Sequence, residues 1–164
     1  MQAFDISSQD TAPRGLTFND DGSKMYTTGT AGQEINQYNL STNFDVSTAS
    51  FVHKFSTSST ETVPMSVKFN NDGTKMFIVG SGGDEVNEYI LTTAFDISTA
   101  SHESIFSLSG YDTVPWGIDF NNDGTKMFIT GNQGDDINEF SLNVGFDLSA
   151  GVNFVQLKDL THPM

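Results

Sequence analysis

Asp10, Glu61 and Asp112 stand 51 residues apart, and so do Glu34, Glu85 and Asp136. Carboxylates repeated in this way could gather on a ring and hold Ca²⁺ or Mg²⁺, hard cations that take oxygen ligands. The first set is the candidate metal site, although no stretch has the spacing of a dedicated calcium loop. With Asp84 and Asp135 the two sets make eight acids, opposed by Arg14 alone. A second group of candidates follows three prolines. Arg14, Met65 and Trp116 come directly after Pro13, Pro64 and Pro115 and differ completely, while their neighbours hardly vary. The repeat therefore makes no structural demand on that position, which leaves it free for binding. Trp116, the only tryptophan, together with Tyr111 suggests a platform for a sugar or an apolar group.

Other chemistry is missing from the pattern. His53, His102 and His162 are not repeat-equivalent, so a histidine metal triad is not expected. No Ser-His-Asp order, phosphate loop or acid–base carboxylate pair stands out. The glycines at 80–83 interrupt strands and open no helix, which is the wrong setting for a phosphate cradle. Without cysteine there is no thiolate ligand or nucleophile, and the redox compartment stays open. No organic cofactor is expected, and Ca²⁺ is the ion to consider. A net charge of −14, from 21 acids and 7 bases, argues against nucleic acid, whose phosphates need Lys and Arg. No apolar run approaches the roughly 18 residues of a membrane span, and the N-terminus lacks a signal pattern. A soluble protein is expected, in an extracellular or virion-associated setting if the resemblance below holds.

The elements that position these residues repeat with them. PRGLTFNDDGSKMY, PMSVKFNNDGTKMF and PWGIDFNNDGTKMF open three copies of one unit, and such a period marks stacked supersecondary structures. In the second copy Val67 and Phe69 alternate with polar neighbours, as in a strand. Asp72-Gly73 is a hairpin signal. Lys75–Val79 reads as a strand buried on both faces, and Gly80–Gly83 ends it. A third strand spans Glu85–Leu91, with Val86 and Tyr89 on opposite faces. A fourth runs from about His102 to Leu108. Lys24, Lys75 and Lys126 are expected to pair with the hairpin acids Asp20 or Asp21, Asp72 and Asp123. Phe44, Phe95 and Phe146 should wedge between units, each followed by an aspartate that caps backbone N–H groups.

Four short strands that are apolar on both faces need a sheet on each side, and a β-propeller meets that demand. The F-N-x-D-G-[ST]-K-M-[FY] hairpin resembles the repeats of WD40-like and YVTN-type propellers. With G-x-x-G-[DEQ]-[DE]-[IV]-N-[EQ]-[YF]-x-L and F-D-[ILV]-S, the unit looks most like uncharacterised repeat proteins of bacteriophages and marine metagenomes. The Gly-His and Trp-Asp dipeptides of true WD40 blades are missing, and so is the sialidase box. The resemblance implies an all-β propeller of four-stranded blades at 13–58, 64–109 and 115–160. Residues 1–12 then form a strand tail and link, with Phe4 matching Phe55 and Phe106, and Asn153–Leu157 supplies the last strand.

Three blades leave two sheet faces open, so the ring is expected to close by self-association. A homodimer of six blades is preferred; a homotrimer of nine and a fragment of a larger parent propeller are the alternatives. Leu16, Met25 and Tyr38 are expected on one open face, and Ile118, Met127 and Phe140 on the other. In propellers ligands favour the end that carries the glycine loops and links. The function this implies is a non-enzymatic scaffold or recognition module for a glycan or protein. The alternative is a lactonase- or glycosidase-like hydrolase that uses the acidic mouth. Near-identity of the blades argues against catalysis, which needs different residues on different blades.

Overall fold

In the computed structural model, which describes residues 3–133 and 136–155, twelve strands form three antiparallel four-stranded sheets, each a meander in chain order. Blade one holds β1 (Pro13–Phe18), β2 (Lys24–Gly29), β3 (Glu34–Leu40) and β4 (Ala49–Ser56). Blade two holds β5 (Pro64–Phe69), β6 (Lys75–Gly80), β7 (Glu85–Leu91) and β8 (Ala100–Ser107). Blade three holds β9 (Pro115–Phe120), β10 (Lys126–Gly131), β11 (Ile137–Val144) and β12 (Asp147–Phe154). The first strands of successive blades touch, β1 on β5 and β5 on β9, so they line the inner edge. No helix among the described residues is long and apolar enough to cross a membrane.

The core lies between blades, because each middle strand is apolar on both sides. Tyr26 and Ile35 of blade one meet Val67, Met76, Ile78 and Tyr89 of blade two. Phe77, Val79 and Val86, from the other side of blade two, meet Ile118, Met127, Ile129 and Phe140 of blade three. Val86 and Tyr89 therefore do face opposite ways. Each large side chain removed from water here contributes about 1.5–3 kcal/mol.

The hairpin end is built around one contact. Gly22, Gly73 and Gly124 sit at φ near +70°, and the rings of Phe44, Phe95 and Phe146 cover them where a Cβ would stand. The phenylalanines are themselves left-handed, at φ of 57–60°, a conformation rare for an aromatic residue. Their N–H groups bond back to the glycine carbonyls, at 2.9–3.0 Å. The expected wedge is present at two of the three positions: Phe95 packs on the core between blades one and two and Phe146 near Phe77 of blade two, whereas Phe44 has no blade before it and is exposed. Asp45 and Asp96 cap the 3₁₀ turns Val46–Thr48 and Ile97–Thr99 as expected.

Blade three departs from its siblings. Its last strand begins at Asp147 instead of Asn153, because the Asp147 carboxylate accepts from Ala150 N–H and strand pairing starts at once. One extra residue separates paired positions there, and Gly151 absorbs it at φ +112°. Gln156 and Leu157, expected in that strand, lie outside the described residues, as do His162 and Asp135.

Three further expectations are corrected. The lysines do not pair with the hairpin acids, which instead accept from Ser23, Thr74 and Thr125. They reach across to the third strand: Lys24 to Asn39, Lys75 to Glu88 at 2.6 Å and Lys126 to Glu139 at 2.8 Å. Ile118, Met127 and Phe140 are not on an open face, because they point back at blade two and are buried. On blade one, Met25 and Tyr38 are covered by Phe4 and Ile6, whereas Leu16 is 60% exposed.

Candidate functional site

The three candidate metal ligands do not form a shared ring. Each carboxylate is buried in the link before its own blade and holds backbone N–H groups. Asp10 accepts from Ala12 and from Gly32 at 3.1 Å. Glu61 accepts from Val63 at 2.6 Å and from Gly82 and Gly83. Asp112 accepts from Val114 at 2.7 Å and more loosely from Gln133. Each acid thus ties the incoming link to the glycine loop after the second strand. A Cβ on Gly29 or Gly131 would collide with the Asp10 or Asp112 carboxylate, which explains why these positions are glycine. In the other set, Glu34 is buried against Lys54 at 3.0 Å, so Arg14 is not the only cation at this end. Among the described residues no three acids or histidines come together as a cation site.

Arg14, Met65 and Trp116 occupy the second position of β1, β5 and β9, at the link end of the inner strands. Arg14 is exposed, Met65 half-buried and Trp116 47% exposed. Trp116 and Tyr111 do not form one platform. Tyr111 stacks instead within a cluster of Phe106, Phe140 and Phe154, 4.7 Å from the last of these. No aromatic ring among the described residues pairs with Trp116.

A cavity of about 160 Å³ lies at the opposite end of the inner strands. All three blades line it. Thr17, Lys68 and Asp119 occupy one repeat position, Phe18, Phe69 and Phe120 the next, and asparagines from the hairpins close the rim. Lys68 and Asp119 form an ion pair at 3.1 Å between blades two and three. Asn71 donates to the Asn122 carbonyl at 2.6 Å across the same joint. The sequence reading missed this position, yet a signal was present. Thr, Lys and Asp differ as sharply as Arg, Met and Trp do, between an apolar residue and a phenylalanine that hardly change.

No protein-family model matches the chain, and no curated sequence does. Solved structures do match. A protein of Lactobacillus plantarum superposes with a TM-score of 0.64 at 14% identity, over 88% of this chain and 40% of its own. The periplasmic gluconolactonase PpgL of Pseudomonas aeruginosa gives 0.63 at 16%, over 88% and 39%. The Cps50 (Swd1) β-propeller domain of Myceliophteria thermophila gives 0.57 at 9%, over 88% and 42%. The fold is a β-propeller. At these identities the likeness concerns fold alone, and the chain spans about two-fifths of the length of these neighbours.

Proposed function

We propose that this chain is a non-enzymatic, self-assembling propeller module that recognises a glycan or protein at the mouth of the axial channel. One observation carries the reading. The blades differ chemically at the inner strands, at Arg14, Met65 and Trp116 on one end and Thr17, Lys68 and Asp119 on the other. The last three converge on the axial cavity, where a cation, a carboxylate and hairpin amides can meet hydroxyl and carbonyl groups. A pocket with a few convergent polar groups is the default binding site of such a fold. The link acids, which a hydrolase would draw on, are committed to backbone N–H groups. The repeat's resemblance to bacteriophage proteins makes a surface glycan the first ligand to test.

Trp116, at the link end of β9, reports on access to that end and not on the cavity. Its emission should be quenched by acrylamide. A glycan array followed by titration should yield a ligand whose affinity falls about tenfold or more in Lys68→Ala or Asp119→Ala, the loss of one charge-assisted hydrogen bond. A ligand that binds both variants as it binds the parent would place recognition elsewhere. The hydrolase reading, drawn from the acidic mouth, is supported besides by the name of the P. aeruginosa neighbour. Turnover of gluconolactone above the buffer rate, abolished by Asp119→Asn, would replace the binding reading.

A further inference from the structure

The same repeat position is buried in the inner joints and bare at the ends. Ile35 and Val86 are fully buried between blades, whereas Ile137, their counterpart in blade three, is 66% exposed. Val67 and Ile118 are 2% and 5% exposed, whereas Leu16, their counterpart in blade one, is 60% exposed. The polar stitching ends in the same abrupt way. Gln37 of blade one accepts from Ile97 N–H of blade two at 3.1 Å, and Glu88 of blade two accepts from Leu148 N–H of blade three at 2.9 Å. The next acceptor in this series is Glu139, and the matching donor is Val46 N–H on blade one. Among the described hydrogen bonds no acceptor within the chain takes that N–H. In the first joint alone Thr28 donates to the Met65 carbonyl at 3.2 Å; blade two has Val79 at that position, and Thr130 on blade three restores the hydroxyl with no blade beyond it.

We propose that blade three of one copy docks head-to-tail on blade one of a second copy, through the positions that make the internal joints, so that two copies close a six-bladed ring. Glu139 then accepts from Val46 N–H of the second copy, and Thr130 donates to its Arg14 carbonyl. Ile137 and Leu16 enter the new apolar layer. The head of the chain is already prepared for this. Phe4 meets Tyr38 edge-on at 5.6 Å, as Phe55 meets Tyr89 at 5.2 Å and Phe106 meets Phe140 at 5.1 Å. An apolar depression of about 390 Å³ beside it, lined by Leu16, Met25 and Val46, awaits the partner sheet. A twofold head-to-tail ring uses each unlike face once and leaves none exposed, whereas an unclosed series would grow as a filament.

The inference rests on the self-assembly reading, and two measurements separate them. Light scattering of the full chain at micromolar concentration should give twice the 17.8 kDa of one chain. Ile137→Glu and Leu16→Glu, both at exposed positions of the single chain, should each shift the mass to one chain while the β-sheet circular dichroism is kept. Glu139→Gln should remain assembled, because Gln37 already serves in that role in blade one, and Glu139→Lys should dissociate at least tenfold more readily. A parent chain of single mass overturns self-assembly altogether. A multimer that survives both glutamate substitutions overturns this joint and leaves self-assembly standing. A mass of three chains overturns the twofold count.

Discussion

Glu88 shows what a single side chain does here. It is fully buried, and it accepts from Lys75 at 2.6 Å, from the Ser104 hydroxyl at 2.8 Å and from Leu148 N–H of the next blade. A buried carboxylate is tolerated only with such partners, and removing one member of a buried pair typically costs several kcal/mol. Glu88→Ala should therefore lower unfolding stability by about 3 kcal/mol in a urea titration. Glu88→Gln keeps the acceptor that Gln37 uses in blade one and should lose less than half of that. A loss below about 0.5 kcal/mol in Glu88→Ala, the size of an ordinary surface change, would mean that the inter-blade staple holds little. Gln37 and Glu88 were not singled out by sequence reasoning, since neither looks unlike a polar residue on a sheet.

At the scale of the element, the turns are held by carboxylates. The hydroxyls of Thr74, Ser98, Thr125 and Ser149 donate to Asp72, Asp96, Asp123 and Asp147 and hold these carboxyls below the usual aspartate range, with backbone N–H groups adding to the effect. Their folded values lie below the unfolded one of about 4. The stability they contribute is thus complete above that value and is lost as the pH falls through the folded ones. Melting temperature should be flat with respect to these groups from neutral pH to about 5, then drop steeply below about 4. A curve that stays flat to pH 3 would show that the turns hold without their charge. The Asp-Gly signal and the Phe-Asp pair were legible as turns because their chemistry is local. The left-handed phenylalanines were not legible, since that backbone is held by contacts between two separate turns, the ring on the glycine and the N–H bonded to its carbonyl.

For the whole molecule the governing facts are charge and open faces. A net charge of −14 on a small chain stores repulsion that salt should screen, and added NaCl should raise the melting temperature by a few degrees. Because the link acids already accept from backbone N–H groups, millimolar Ca²⁺ should do no more than NaCl at matched ionic strength. A larger shift specific to Ca²⁺ would point to a cation site that these hydrogen bonds do not satisfy.

The sequence by itself determined the strands but for the early start of the last one, their order, the blade count and which turns lie together. Strands and turns follow from alternation and from Asp-Gly and proline positions, which act within one unit, and the blade count follows from the period of 51 residues between units. It also marked Arg14, Met65 and Trp116 as free of the repeat. Only the tertiary structure decided which face of each blade looks forward. A strand that is apolar on both sides gives the same pattern either way, so Met127 could not be told from an open-face residue until it lay against blade two. The fate of the acids was likewise hidden. A carboxylate on a ring and a carboxylate capping two N–H groups have the same residue and the same spacing, and only the approach of the glycine loop separates them.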